Sequence, residues 1–320
     1  MSTLADVAAR AAVSKATASR ALSRPELVAP ETTARVLAAA HELGFVPNRA
    51  ARELASGKSG IVALVVPTLE NSFFTPIIAG AQARAEEAGL QLTVAVHPLS
   101  SVDELVAFQR LSAQVDGFIV VAPRGDDDVV RAAAAYKPTV LIDREIDGLT
   151  SVVADTATAF GGLVSRFIDE GHSRIAYIGG PDGSWQNGQR TAAVTAAASG
   201  RAELTVLGPF PATFAAGVAA ADAVIAERST AVVPYATAIG LGVMFALRAG
   251  GVESPAITVS SERMVVDALG FTGVPAIDVD GDELGQVAMQ QLLARIGRRT
   301  PVAAEQRRMP VPVRWAEPVG

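Results

Sequence analysis

The sequence predicts an α/β protein in which a small all-α segment precedes a two-lobed core of doubly wound parallel sheets. Residues 1–45 place apolar side chains at helical spacing and show no strand pattern. From Ile61 onward, short apolar runs alternate with amphipathic stretches, as in parallel strands joined by crossover helices. The 320 residues also exceed one typical domain of about 100–200 residues, so more than one folded part is expected.

Three short helices are predicted in the first segment. Apolar spacing over 4–8 indicates the first helix, and Ser14 can cap a second helix that runs through Lys15 to Leu22. A third helix is predicted from Glu31 to Leu43, and Gly44 follows it at a position where helices commonly end.

A fourth, shorter helix of about two turns is predicted after Pro47. Asn48 can cap it and Gly57 can terminate it. Helices shorter than about 12 residues are marginal alone in water, so this one is expected to need a partner. The sequence therefore divides into a helical module over 1–46, a helix and linker over 47–58, and a core over 59–320.

Eight apolar runs in the core are predicted to be strands. With eight or more strands in about 260 residues, two lobes are expected, with a ligand cleft at the carboxyl ends of the strands. The tail after Arg298 is expected to be a closing strand or a loop. The runs are IVALVV, LTVAV, GFIVV, TVLID, RIAYIG, ELTVL, AVVPY and AITVS.

Composition excludes several classes of protein. Apolar residues never run for the roughly 18 positions that a membrane span needs, and the amino terminus lacks the pattern of a signal peptide, so a cytoplasmic location is expected. The chain has no cysteine, and His41, His97 and His172 lie far apart without ligand spacing. No metal and no cofactor are predicted.

Charge is distributed unevenly along the chain. Residues 1–58 contain eight Lys or Arg against five Asp or Glu, which gives +3 and leaves −9 for the rest of a chain whose net charge is −6. Such asymmetry is typical of a polyanion-binding end, although a solvated helical face can produce the same pattern.

Two long motifs at the start, TLADVAARAAVSKATASRAL and VAPETTARVLAAAHELGFVPNRAARELASGKSG, strongly resemble the headpiece and hinge of the lactose-repressor (LacI) family. The motifs NSFFTPIIAGAQARAEEAG and EGHSRIAYIGGP resemble the core of the same family. The resemblance implies a helix-turn-helix headpiece, a hinge helix and a periplasmic-binding-protein-like core for effector binding and dimerisation. It covers nearly the whole chain and is most specific over residues 3–58.

The resemblance implies that the second helix lies in the major groove of DNA. Lys15 and Arg20 can donate to guanine, and Ala16 can touch a thymine methyl group. Thr17 and Ser19 suit phosphate oxygens, which position the protein without reading sequence. The alternative is an ordinary polar helix face, which the hinge that follows makes less favoured. The implied contacts in this helix are Ser14, Lys15, Ala16, Thr17, Ser19 and Arg20.

In this family the hinge helices of two subunits pair in the minor groove and insert an apolar side chain between base steps. Leu54 matches that wedge, and Asn48 and Arg49 match flanking contacts with DNA. Ala51 and Ala55 are small enough to let helices or backbone approach. Unstacking costs a few kcal/mol, which the bent duplex offsets by contacting more protein. The alternative for Leu54 is a minor core contact.

The resemblance also implies effector contacts in the core. At least one of Phe73 and Phe74 is also expected to pack in the core. Asp143 has the alternative of pairing with Arg144 on the surface. The positions that match ligand-contacting positions of the family are Phe73, Phe74, Asp143, Arg190 and Phe210.

Two departures from the family pattern bear on the effector. Ala236-Thr237 stands where the family typically has Asn-Asp, and Ser261-Glu262-Arg263-Met264 stands where it typically has Gly-Phe/Tyr-Asp-Asp. Both changes remove side chains that commonly bind sugar hydroxyls. If Arg263 joins Arg190, the cleft is locally positive, which favours a phosphorylated sugar or a carboxylate. The alternatives are that Arg263 points to solvent or that the pocket has lost its response to ligands.

The sequence therefore predicts a transcriptional regulator, by default a repressor, that binds a pseudo-palindromic operator in double-stranded DNA as a homodimer. A carbohydrate-like or anionic small molecule is the expected effector. A periplasmic sugar-binding protein would share the core but would carry a signal sequence instead of the headpiece. An enzyme is not predicted, because the best dinucleotide motif, Gly240-Leu-Gly242-Val-Met-Phe245, lacks its third glycine.

Overall fold

The computed structural model of the protein describes residues 2–23, 25–45, 58–253, 255–260, 274–298 and 302–315. The chain divides into two compact units, Met1–Ser59 and Gly60–Gly320. The finer division of the first 58 residues into module and hinge stays a prediction, because 46–57 lie outside the described residues. Among the described helices, none is both long and apolar enough to cross a membrane.

The smaller unit is helical. Its elements are α1 (Leu4–Arg10), α2 (Lys15–Ser23), a 3₁₀ turn (Pro25–Leu27) and α3 (Pro30–Glu42). The three predicted helices are confirmed, and the 3₁₀ turn is an addition that no sequence pattern predicts. The core is built mainly from small side chains, which let such short helices pack closely: Val7, Ala8, Ala11, Ala18, Ala21, Val36, Ala39 and Ala40.

Local hydrogen bonds fix the ends of these helices. Thr3 Oγ1 accepts from Asp6 N, and the Asp6 carboxylate accepts from Thr3 N at 2.7 Å, which forms a capping box at the start of α1. Beyond α3, Gly44 has a φ of +57°, and Phe45 N donates to Ala40 O at 2.9 Å. This is a Schellman arrangement, and it confirms Gly44 as the residue that ends the third helix.

The larger unit alternates strands and helices. Its strands are β1 (Ile61–Val66), β2 (Gln91–Val96), β3 (Gly117–Val121), β4 (Thr139–Ile142), β5 (Thr150–Ala154), β6 (Arg174–Ile178), β7 (Glu203–Leu207), β8 (Ala231–Pro234), β9 (Ala256–Ile257), β10 (Val259–Ser260), β11 (Ala276–Ile277), β12 (Gln306–Met309) and β13 (Val313–Arg314). Its helices are α4 (Phe74–Glu87), α5 (Leu105–Ser112), α6 (Asp127–Ala134), α7 (Thr156–Asp169), α8 (Trp185–Ala198), α9 (Phe214–Ala226), α10 (Thr237–Ala249) and α11 (Gly281–Leu293).

The strands form two lobes. In the first lobe the order β12-β5-β4-β3-β1-β2 is parallel throughout. The second lobe holds the parallel sheet β7-β6-β8-β9 and a small sheet β10-β11-β13, in which β13 is antiparallel to β11. Because the chain passes between the lobes after β5, after β11 and after β12, three connections join them. The predicted pair of doubly wound lobes is confirmed.

Seven of the eight apolar runs form single strands, and the eighth is divided. AITVS becomes β9 and β10, because the fully buried Thr258 between them donates its hydroxyl to Pro275 O at 2.7 Å. Four strands have no counterpart among the predicted runs: β5, β11, β12 and β13. The closing strand expected in the tail is confirmed by β12 and β13.

Candidate functional sites: a helix face and an interlobe cleft

Helix α2 presents four of the predicted DNA-contacting residues on one exposed face. Four of these residues are exposed: Lys15, Ala16, Ser19 and Arg20. Residues three or four positions apart share one face of a helix, so these four lie side by side. Ala18 faces the opposite way and is fully buried in the core of the smaller unit. The face can therefore meet a partner without disturbing that core.

Two hydroxyl groups fix the start of this helix. Ser14 Oγ accepts from Thr17 N at 3.0 Å, which confirms Ser14 as the cap of α2. The hydroxyls of Ser14 and Thr17 also lie 2.8 Å apart and share a hydrogen bond. The predicted contact of Thr17 with phosphate and the predicted contact of Ser14 with DNA stay predictions, but both residues also have a structural role in beginning the helix.

Several predicted site residues lie outside the described residues. These are Asn48, Arg49 and Leu54 of the hinge and Arg263 of the core. Their assigned roles stay predictions.

A cleft opens between the lobes of the larger unit at the carboxyl ends of the strands, as the sequence predicts. Its cavity measures about 160 Å³. The first lobe contributes the loops after β1 and β3, and the second lobe contributes the loops after β6, β7 and β8. Its lining is Pro67, Thr68, Glu70, Asn71, Phe74, Ala122, Arg124, Pro181, Ser184, Pro211, Ala212, Thr213 and Tyr235.

The predicted aromatic residues occupy different places. Phe74 lines the cavity and is 6% exposed. Phe73 packs into the hydrophobic core with its ring centre 5.9 Å from that of Phe74. Phe210 is half-buried against the core of the second lobe, and the cavity is lined instead by the residues that follow it, Pro211 and Ala212.

Asp143 directly follows β4 and is buried in the boundary between the lobes. Its Oδ1 accepts from Gln186 Nε2 at 2.9 Å and from Ala154 N at 3.2 Å. Burial raises the pKa of its carboxyl, and the hydrogen bond from Gln186 and the charge of Arg190 only partly offset that effect. A carboxylate held in this way joins the first lobe to helix α8 of the second.

Arg190 on α8 is also buried and already has partners. Its Nε donates to Thr156 Oγ1 and its Nη1 to Tyr235 O, both at 2.8 Å. The guanidinium carbon lies 4.7 Å from the ring centre of Phe160 and 4.6 Å from that of Tyr235. Arg190 therefore supports Tyr235, which lines the cavity, and direct contact of Arg190 with an effector stays a prediction.

The alternative pairing of Asp143 with Arg144 is wrong. Arg144 is 8% exposed and donates from Nη2 to Asp127 Oδ1 at 2.7 Å and to Gly125 O at 3.1 Å. Its guanidinium therefore pairs with Asp127 at the start of α6, and not with Asp143.

The two residues of the first family departure are both buried. Ala236 caps α10 without a side-chain hydrogen bond, and Thr237 is 1% exposed in its first turn. Neither side chain lines the cavity. The residues of the second departure, 261–264, lie outside the described residues.

Sequence reasoning missed three residues of the cleft and its wall. Arg124 and Tyr235 line the cavity, and the buried Gln186 links Asp143 to Thr156, whose Oγ1 donates to Gln186 Oε1 at 3.1 Å. A usable signal exists for Arg124 and Tyr235, because each follows within a few residues of the carboxyl end of a predicted parallel strand. Among the described residues, no group of three or more His, Asp or Glu side chains is placed to hold a metal ion.

Two family models match the chain. The model described as "Bacterial regulatory proteins, lacI family" matches residues 3–48. The model described as "Periplasmic binding proteins and sugar binding domain of LacI family" matches residues 59–317. The gap between the two matches ends where the two compact units of the structure divide.

Similar proteins are regulators of transcription. The maltose regulon regulatory protein MalI of Escherichia coli (strain K12) is 34% identical over 194 residues, which are 59% of this chain and 56% of that protein. The chain spans about half the length of the curated relatives it matches.

Similar solved structures cover nearly the whole chain. A transcriptional regulator CelR–cellobiose complex is 26% identical, with a TM-score of 0.70 over 99% of both chains. The lac repressor dimer bound to operator and the anti-inducer ONPF is 23% identical, with a TM-score of 0.84 over 98% of this chain and 97% of that one. The second likeness concerns the fold alone.

Proposed function

The chain belongs to the lacI family of bacterial regulatory proteins, and on this premise we propose that it is a sequence-specific transcriptional repressor of bacterial genes. It binds a pseudo-palindromic operator in the cytoplasm as a homodimer, and a small molecule in the interlobe cleft modulates that binding. The family resemblance and the fold class predicted from the sequence are confirmed. The similar proteins are regulators and not enzymes, so no catalytic role is proposed.

The exposed face of α2 is the observation that carries the proposal. Lys15 and Arg20 supply donors for guanine, and Ala16 on the same face can touch a thymine methyl group when the helix enters the major groove. The caps at Ser14 and Thr3 keep the short helices of the unit formed before DNA arrives. Such preorganisation reduces the entropy cost of binding.

The hinge supplies a second proposed contact with DNA. We place Leu54 between base steps of the minor groove, with Asn48 and Arg49 near the phosphates. Replacing Leu54 with Ala is expected to weaken specific binding far more than non-specific binding, because only the specific complex bends DNA enough to admit the wedge. Equal losses on operator and random DNA, measured by fluorescence anisotropy, would contradict the wedge.

Exposed apolar surface on the larger unit supports self-association. Phe214 on α9 and Phe245 on α10 are 45% and 61% exposed, and their ring centres lie 5.6 Å apart. Val218 extends the same surface along α9. Contiguous apolar patches of this kind mark interfaces, and a second copy of the chain is the occupant that symmetric operator half-sites require.

The experiment that tests the proposed function is selection of binding sites from random duplex DNA by the purified full-length protein. A regulator of this kind is expected to enrich one two-fold symmetric sequence, with an affinity that falls steeply as salt rises. Enrichment of no sequence, or of an asymmetric one, would overturn the proposal.

A further inference from the structure

The loop after β3 carries a guanidinium group into the interlobe cavity. Arg124 lines the cavity and is half-buried. Within the described part of the chain, its side chain forms no ion pair and no hydrogen bond. The inference that follows rests on the proposed function, because it assigns the chemistry of the ligand that the cleft receives.

The backbone around Arg124 is held rigidly. Arg124 N donates to Pro98 O at 2.9 Å, and Gly125 N donates to Leu99 O at 2.8 Å. From the other side, the buried Arg144 donates to Gly125 O at 3.1 Å. A loop fixed at three points presents its side chain at a defined position, as a specific binding site requires.

The second lobe meets the first at this same residue. A Cβ atom placed on Gly183 would lie 2.6 Å from Arg124 O and 3.2 Å from Arg124 Cβ. The loop after β6 therefore lies directly against Arg124. A ligand that binds Arg124 also meets Ser184, Thr213 and Tyr235 of the second lobe and so contacts both lobes.

Because the Arg124 side chain is half-buried, it has lost part of its hydration, and a bound acceptor of opposite charge would compensate for that loss. Among the described residues of the lining, Glu70 is the one carboxylate, and its side chain is exposed to water. The remaining polar groups of the lining are neutral hydroxyl and amide groups. The lining thus offers hydroxyl-binding groups around one strong donor of charge-assisted hydrogen bonds.

The volume limits the size of the ligand. The cavity of about 160 Å³ is smaller than the roughly 300–1,000 Å³ of pockets for drug-sized ligands. It suits a molecule with a single sugar-sized ring.

We propose that the effector is a one-ring, hydroxylated anion, a sugar phosphate or a sugar acid, and that Arg124 is the residue that selects its anionic group. The positive charge of the cleft is thus assigned to Arg124 and not to Arg190, because Arg190 already donates to Thr156 and Tyr235.

The test is thermal unfolding of the full-length protein with one-ring sugar phosphates and sugar acids, each beside its neutral counterpart. Glucose 6-phosphate, glucuronate and glucose begin the series, and cellobiose and inorganic phosphate complete it. One-ring anions are expected to raise the Tm, whereas glucose, cellobiose and phosphate leave it unchanged. Arg124→Gln is expected to weaken the response at least about tenfold in ligand concentration, as loss of a hydrogen bond to a charged group does.

Arg110→Gln is the matched control, because Arg110 is an exposed arginine of the same lobe that does not line the cavity. It is expected to keep the full response. A Tm raised equally by glucose and its phosphate, by inorganic phosphate alone, or by no member of the series would overturn the inference. Site selection with the unmodified protein separates this failure from failure of the proposed function, because a chain without an effector still selects its operator.

Discussion

Three arginines near the cleft differ in what their guanidinium groups contact. Arg190 lies between two aromatic rings and donates to Thr156 and Tyr235. Arg144 is bound to the loop that precedes α6. Only Arg124 of the three lines the cavity. Removing Arg190 or Arg144 would leave buried acceptors unpaired and lower stability, so a loss of ligand response at those positions would not identify a ligand contact.

Asp143→Asn is expected to stabilise the folded protein at neutral pH. Burial raises the pKa of Asp143 above its ordinary value of 3.8, so the folded state binds this proton more tightly than the unfolded state does. Its contribution to stability is therefore full below 3.8 and is lost as the pH rises through the folded value. Asn is neutral at every pH, and its Oδ1 can accept from Gln186 and Ala154 in the same way.

Urea unfolding of both proteins from acidic to neutral pH checks this expectation. The gain in the free energy of unfolding should be small in acid and grow as the pH rises. Asp126→Asn, which makes the same change at an exposed position, is the matched control. A variant of Asp143 that loses stability at neutral pH would mean that its attraction to Arg190 outweighs the cost of burial.

Arg20→Ala is expected to relax the preference for one base pair in each half-site. A bidentate contact with guanine is worth about 1–3 kcal/mol of discrimination. Arg35→Ala removes the same charge from an exposed position on α3 and should reduce affinity without changing base preference. Binding measured on operators with single base changes separates the two effects, and an unchanged preference in Arg20→Ala would place Arg20 on the phosphates.

At the scale of elements, the loops at the ends of parallel strands decide how the lobes meet. Gly183 lies in the loop after β6 with a φ of +69° and touches the backbone of Arg124. Gly200, in the turn after α8, has nearly the same φ of +68° but faces open space. Substitutions at Gly183 and Gly200 therefore separate the effect of backbone strain from the effect of contact between the lobes.

Gly183→Ala is expected to prevent the lobes from closing. Both this variant and Gly200→Ala should lose about 1–2 kcal/mol of stability from left-handed strain. Only Gly183→Ala should also separate the lobes and weaken effector binding. Because the chain has no cysteine, spin labels on Ala135→Cys and Ala192→Cys would report the distance between lobes uniquely. An unchanged distance in Gly183→Ala would show that neighbouring loops yield instead.

Some of the strands that could be predicted owe their pattern to burial on both faces. β1 and β3 lie inside a parallel sheet with both faces covered, so their sequences are continuous apolar runs. β12 at the sheet edge reads QRRM with three exposed residues, and β11 and β13 have two residues each, so none leaves a readable period. These strands exist because a tertiary partner already lies beside them.

At the scale of the whole molecule, the sequence predicts where the cleft lies more securely than which side chains fill it. Topology alone places a cleft at the carboxyl ends of the strands. Whether an arginine in such a loop meets ligand or protein depends on contacts between distant segments, such as those of Arg190 with Thr156 and Tyr235. No periodicity records them, so the family resemblance points to Arg190 and not to Arg124.

Assembly is the last property that belongs to the whole molecule, and Phe245→Glu is expected to disrupt it. In a two-fold interface each substitution occurs twice, and burying each Phe is worth about 1.5–3 kcal/mol, so the dimer should weaken at least about 100-fold. Sedimentation over a range of concentrations measures this, with Val302→Glu as an exposed apolar control. Binding to a full operator should weaken with the dimer, while binding to a half-site should persist. A Phe245→Glu protein that still sediments as an unchanged dimer would exclude the surface formed by Phe214, Val218 and Phe245 as the interface.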